Sequence, residues 1–226
     1  MSALMSLYKA LGLAGGTATA IGGGVLISKT SLFQNTPNHA TTKRKETFRQ
    51  KYKFALFNEG DNLWDTRFST FSSGKQPTHP TLVEAKSKSS AQASDAKALH
   101  KRGCREIYDS EIEGVSYLED FKAYCSKTVK DGITGTWIDQ ANTQGDKWNP
   151  KLTSLKDHDN SKNGMLDDKL LALKNKLTTA STSNPTWDDE KRKDLKEWCE
   201  MAKSSIFMGE EDSKSKHSKL YCTEGN

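Results

Sequence analysis

Two stretches of this chain share one pattern, and a pattern that recurs has to fold twice. Gly60-Asp-Asn-Leu-Trp64-Asp-Thr-Arg-Phe68-Ser-Thr-Phe71 and Gly145-Asp-Lys-Trp148-Asn-Pro-Lys-Leu152-Thr-Ser-Leu155 both lead from Gly-Asp to a Trp. In both, large apolar residues follow four and seven positions after the Trp, which is one stripe of an amphipathic helix. A second likeness lies downstream. Leu118-Glu-Asp-Phe121-Lys-Ala-Tyr124-Cys125 matches Lys193-Asp-Leu195-Lys-Glu-Trp198-Cys199, an aromatic-Cys pair with an apolar residue three before the aromatic. The Trp elements are offset by 84 residues and the Cys elements by 74, so the copies differ by an indel between them. The intervening segments are helix-prone in both copies, through Leu82, Ala85, Ala91, Ala96 and Leu99 in one and Met165, Leu166, Leu170, Leu171, Leu173 and Leu177 in the other. Repeats of this kind predict two related helical units, residues 46–130 and 131–226, each helix-loop-helix-loop-helix. Trp64, Trp148 and Trp198 fall on helical stripes and read as core. Thr186 before Asp188, Asp189 and Glu190 marks a helix start. No stretch alternates apolar and polar residues over more than about four positions, so the fold class is mainly α.

Four cysteines, Cys104, Cys125, Cys199 and Cys222, all lie in the second part of the chain, 21 and 23 residues apart within neighbouring pairs. An even count at similar gaps predicts two disulfides, Cys104 with Cys125 and Cys199 with Cys222, although four cysteines allow three connectivities. Buried free thiols are the alternative. The first pair requires a polar turn near residues 109–116 to fold the chain back. The second requires the Ser/Lys-rich tail, Ser213 to Leu220, to return over the final helix, and its composition reads as mobile.

The amino-terminal part has a different character. From Ala10 to Ser28 there is no charge, and six of the 19 residues are Gly. As a helix this run reaches about 28 Å, close to the bilayer hydrocarbon. Glycine disfavours a soluble helix and is commoner in transmembrane ones. The run reads as an uncleaved membrane anchor within residues 1–29, with a cleaved signal peptide and a glycine-rich soluble arm as alternatives. Residues 30–45 read as a linker that spaces the helical units from the bilayer. Lys29, Lys43, Arg44 and Lys45 follow the span while Lys9 precedes it, so the charge rule does not favour export, whereas the paired cysteines do.

Only 34% of the 226 residues are hydrophobic, 28% are charged and mean hydropathy is -0.78. That excludes a polytopic membrane protein and argues against a core large enough for a deep catalytic pocket. Net charge is +5, below the level of a dedicated nucleic-acid binder, though Lys43, Arg44, Lys45, Arg49, Lys51 and Lys53 concentrate it. Asp159-Asn-Ser161-Lys-Asn163-Gly164-Met-Leu166-Asp167 mimics the start of a calcium loop, but Leu170 stands where a bidentate acid belongs, so the stretch reads as a turn. His39, His79, His100, His158 and His217 are scattered over polar stretches, with none at a catalytic or zinc-ligand spacing. The charges at 188–193 read as a solvated helix face. Trp137 and Trp187 read as staples over helix starts, with exposed binding aromatics as the alternative. No catalytic residue, cofactor or metal is expected.

The Gly/Ala-rich span at Ala10–Ser28, the Trp units at Trp64 and Trp148, and the aromatic-Cys elements at Tyr124-Cys125 and Trp198-Cys199 together resemble the large paralogous families of uncharacterised proteins of hemotropic mycoplasmas, the wall-less parasites of red blood cells. The likeness covers nearly the full length. It departs in lacking, in the second unit, a cysteine equivalent to Cys104 near Thr178, and in carrying Tyr rather than Trp before Cys125. The resemblance implies a non-enzymatic, single-pass surface protein held in the cell membrane through residues 10–28, with most of the chain outside. It also implies a role as a variable antigen or in contact with a host red-cell ligand, and no nucleic-acid partner. The competing expectation is a basic module that binds nucleic acid or anionic lipid through residues 43–53.

Overall fold

The computed structural model describes residues 45–114, 117–179 and 187–225. The run 10–28, the linker as far as residue 44 and Thr186 lie outside the described residues. Two short helices with matching caps begin the two halves. Thr47 and Gln50 form a reciprocal capping box on α1 (Phe48–Lys51), and Thr128 and Asp131 form one on α6 (Val129–Gly132). The Trp stripes come next, on α2 (Leu63–Ser73) and α7 (Trp148–Lys156). They bury Trp64, Phe68 and Phe71 in one half and Trp148, Leu152 and Leu155 in the other. A connecting helix follows: α3 (Pro80–Lys88), with Pro in its first turn, and, after the short α8 (Asn160–Asn163), α9 (Asp168–Thr178), capped by Asp167. Each half then has one long helix, α4 (Ala93–Asp109) and α10 (Asp189–Lys203), and a closing segment. The closing segment is α5 (Leu118–Asp120) running into a π-helical turn (Phe121–Cys125) in the first half, and α11 (Ser213–Cys222) in the second. The described residues contain no strand, and the fold is mainly α.

Four isolated antiparallel backbone pairings fall at corresponding places in the two halves. Thr47 pairs with Glu111 and Thr128 with Ile206; Leu56 pairs with Ser126 and Trp137 with Thr223. Several flanking hydrogen bonds correspond. Phe48 N–H donates to Ser110 O at 3.2 Å and Val129 N–H to Ser205 O at 2.9 Å. Lys127 N–H donates to Ala55 O at 2.7 Å and Glu224 N–H to Thr136 O at 2.8 Å. The indole of Trp64 donates to Asn58 O at 2.7 Å, that of Trp148 to Gln140 O at 3.0 Å. Cys104 is bonded to Cys125 and Cys199 to Cys222, with Cα separations of 5.2 and 5.5 Å.

This register corrects the expected equivalence of Cys125 with Cys199. Cys104 on α4 corresponds to Cys199 on α10, and Tyr124-Cys125-Ser126 corresponds to Tyr221-Cys222-Thr223. The second half therefore does not lack a counterpart of Cys104. Trp198 aligns with Gly103, and its position before Cys199 only imitates the aromatic-Cys element. The tail is corrected as well: Ser213–Cys222 is a helix capped by Asp212, with Ser215, His217, Ser218, Tyr221 and Cys222 buried. The helix start expected at Thr186 is capped instead by Asp188, whose carboxylate accepts from Lys191 N–H.

The halves meet where one residue serves both. Lys127 N–H closes the first half on Ala55 O, and its carbonyl accepts from Phe207 N–H of the second at 3.0 Å. Arg67 reaches across to Ser126 O at 3.1 Å and Asp131 at 2.5 Å, and Lys127 pairs with Asp61 at 2.9 Å. Val129, Ile133 and Phe207 form a small cluster at this seam, with Trp137 packed against it.

Each disulfide closes a loop of about 20 residues and contributes roughly 3 kcal/mol by restricting the unfolded chain. Replacing both Cys199 and Cys222 by Ser should lower the unfolding free energy by about that amount. Urea unfolding followed by Trp fluorescence measures it; an unchanged midpoint would show that the helix packing alone holds α11.

Candidate functional site

The densest chemistry in the first half surrounds its disulfide. His100 and Cys104 are one helical turn apart on α4 and point to the same side. Both face the Tyr124 carbonyl, which lies 3.0 Å from His100 Nε2 and 3.6 Å from Cys104 Sγ. Because a carbonyl only accepts, His100 Nε2 carries a proton. Phe71 stacks on it at 4.7 Å, and Trp64 and Phe68 close the cage at 5.8 and 5.9 Å. Burial pushes its pKa down to about 4, against the Tyr124 hydrogen bond that favours the charged form. Next to it, Tyr108 inserts its hydroxyl into the frame: Phe57 N–H donates to it at 3.3 Å and it donates to Cys125 O at 2.7 Å. In the second half Ile138 N–H reaches Cys222 O directly at 2.9 Å.

The second half has a different interior at the matching place. Leu195 occupies the position of His100, and the polar groups lie instead between α8 and α11. His158 Nε2 donates to Gly164 O at 2.8 Å, so its Nδ1 accepts from the Tyr221 hydroxyl at 2.5 Å. Burial pushes the pKa of the Tyr221 hydroxyl up to about 12, so it keeps its proton. His217 donates to Asn163 O at 3.1 Å and its ring stands edge-on to His158 at 5.4 Å. Burial lowers the His217 pKa. Cys199 Sγ sits 3.8 Å from Tyr221 O, as Cys104 does from Tyr124 O.

These contacts correct the expectation of scattered, polar histidines. His79, His100, His158 and His217 are all buried, and His39 lies outside the described residues. The His100/Cys104 spacing was the available signal, because residues four apart on one helix share a face. Trp64, Trp148 and Trp198 are buried as expected. Trp187 stands immediately before the Asp188 cap of α10, is buried and donates to Thr153 Oγ1 at 3.2 Å, so it is not an exposed binding aromatic. Trp137 sits in a backbone pairing, far in sequence from the start of α7, so the staple reading fails for it. Arg192 corrects the solvated face: it is buried, donating to Asn142 O at 2.6 Å and Asn149 Oδ1 at 3.1 Å as well as to Trp187 O and Asp189. In the calcium-loop look-alike, Asp159 accepts from Ser161, Gly164 takes φ 82°, and Asp167 both caps α9 and accepts from Trp198. Those oxygens are engaged in holding the turn.

On the surface, the basic segment is partly neutralised. Lys45 pairs with Glu111 and Arg49 with Asp109. An apolar hollow of about 350 Å³ lies beside the seam, between Phe54, Phe207, Met208 and Gly132. Phe54 is half exposed there. No helix among the described residues is long and apolar enough to cross a membrane. Comparison with protein-family models, with curated proteins and with solved structures found no match.

His79, His100 and His217, whose pKa values burial lowers, should make the fold acid-sensitive. An unfolded His titrates near 6.5, so the folded chain binds the His100 proton more weakly. Its contribution is complete above about pH 6.5 and is lost as the pH falls toward 4, by about 3 kcal/mol. His79 and His217 shift in the same direction. Melting temperatures between pH 7.5 and pH 4 should fall steeply in the native chain, and distinctly less in His100→Leu, which carries the residue of the second half.

Proposed function

We propose that this chain is a non-enzymatic surface protein, anchored in the cell membrane by residues 10–28, that presents a twice-repeated helical module outside the cell for antigenic display or contact with a host red-cell ligand. The observation that supports it most is the pair of equivalent disulfides. Such bonds persist in oxidising surroundings and strengthen a domain whose core is thin. The interior chemistry fits the same reading: His100, His158 and His217 are spent on hydrogen bonds that hold turns and closing segments.

The basic-module reading draws on residues 43–53. Two of those cations are occupied by Glu111 and Asp109, and Lys51 and Lys53 lie over the rings of Tyr52 and Phe54. That leaves a weak electrostatic footprint for phosphates. Protease treatment of intact cells separates the two. The surface reading expects loss of the fragment from residue 46 onward while a cytoplasmic marker survives; survival of that fragment would overturn it.

A further inference from the structure

The two disulfides occupy equivalent places but have unequal neighbours. Around Cys104–Cys125, one imidazole nitrogen of His100 and both sulfurs lie within 4.8 Å of one another, and this is the one such triad among the described residues. The second half has Leu195 where His100 stands. We propose that the first half is a dual-state staple: oxidised it is a disulfide, and reduced it is a Cys2His site for one zinc ion, whereas the second pair has no metal-bound form.

The donor set fits. Zinc takes thiolate and imidazole ligands at about 2.0–2.3 Å in a tetrahedron, so its donors sit nearly 4 Å apart. The sulfurs reach that separation once their bond is cut, since the two Cα atoms are only 5.2 Å apart and each side chain retains a free χ1. His100 and Cys104 come from adjacent turns of α4, which fixes two ligands on a rigid element. The Tyr124 carbonyl faces both and provides the fourth donor. The site is fully buried among aromatic rings, and a dry surround strengthens the attraction between the ion and its two thiolates. Reduction by a phosphine balances as follows. The phosphine gives two electrons to the S–S bond and takes the oxygen of one water, whose two hydrogens go to the sulfurs. Zinc then displaces both thiol protons to solvent, and the His100 proton moves from Nε2 to Nδ1, which frees Nε2 to bind. The inference does not rest on the surface reading; it gives the first half a covalent staple in an oxidising compartment and a coordinate one in a reducing compartment.

The test titrates the full chain, reduced by a phosphine under nitrogen, with Co²⁺ as the spectroscopic stand-in, and then displaces it with Zn²⁺. The expected result is thiolate-to-cobalt charge-transfer absorption that saturates at one ion per chain although four thiols are present. Cys199→Ser/Cys222→Ser should keep it, and His100→Leu should weaken binding at least tenfold. Two ions per chain, no charge-transfer band, or equal affinity in His100→Leu would each overturn the proposal. Far-UV circular dichroism covers the case in which the reduced chain unfolds. Zinc should then restore helicity in the native chain and in Cys199→Ser/Cys222→Ser but not in His100→Leu, and failure to restore it in the native chain overturns the proposal equally.

Discussion

The structure depends on a link between the long helix of each half and the segment that closes it. α4 and the turn at Cys125 are joined by one disulfide, α10 and α11 by the other. Immediately after each second cysteine the backbone pairs with the segment that leads to the Trp helix, through Ser126 and Leu56 or Thr223 and Trp137. A single backbone pairing is weak, and a ten-residue helix rich in Ser and Lys has little tendency to form alone. The disulfide removes the entropy that would otherwise separate these segments, so the short pairings and the terminal helix form at a high effective concentration of their partners. With only 34% hydrophobic residues, the chain has no large core to take over that work.

Within this frame the two interiors have diverged by compensation. At Gly103 the chain lets α3 lie directly on α4: a Cβ there would meet Leu82 Cδ2 at 2.7 Å. The second half has Trp198 at that place, and the indole, not a neighbouring helix backbone, fills the space. Its N–H then needs an acceptor, and Asp167 serves both it and the start of α9. His100 in one half needs the Tyr124 carbonyl; Leu195 in the other needs nothing. A phenol bridges Phe57 and Cys125 where Ile138 and Cys222 meet directly. Trp198, His100 and Tyr108 each have a hydrogen-bond partner, which offsets the cost of burying them.

That pattern explains what the sequence revealed. The Trp elements were legible because helical periodicity writes three core residues at fixed spacing, and both copies kept it. The cysteine spacing was legible because each closing segment lies a similar distance from its long helix. The pairing of Cys125 with Cys199 was misread because a two-residue aromatic-Cys pattern carries little information, and Trp198 supplied a chance match. Tyr221-Cys222 was the better partner for Tyr124-Cys125, but a Ser/Lys-rich approach hid it. Small Ser residues pack α11 closely against its neighbours, and composition alone reads such residues as loop. The buried histidines were hidden for a related reason. The polarity of His100 and His217 is cancelled by carbonyls far away in sequence, Tyr124 and Asn163, and no local window contains both partners.

The seam shows why the repeat is a module and not a pair of independent domains. Lys127 ends one copy with its N–H and begins the other with its carbonyl, so no cut leaves both backbone networks complete. Gly132 lets the ring of Phe207 lie against the main chain, where a Cβ would approach to 2.4 Å, and Arg67 ties α2 of the first half to the cap of α6. Backbone hydrogen bonds, helix caps and two disulfides carry the frame, and none of them prescribes the side chains that face outward. The inward side chains have changed too, from histidine to leucine and from glycine to tryptophan, without altering the register. A frame of this kind holds its shape while its surface is rewritten. The two halves of this one chain display that capacity, with one register around two different interiors.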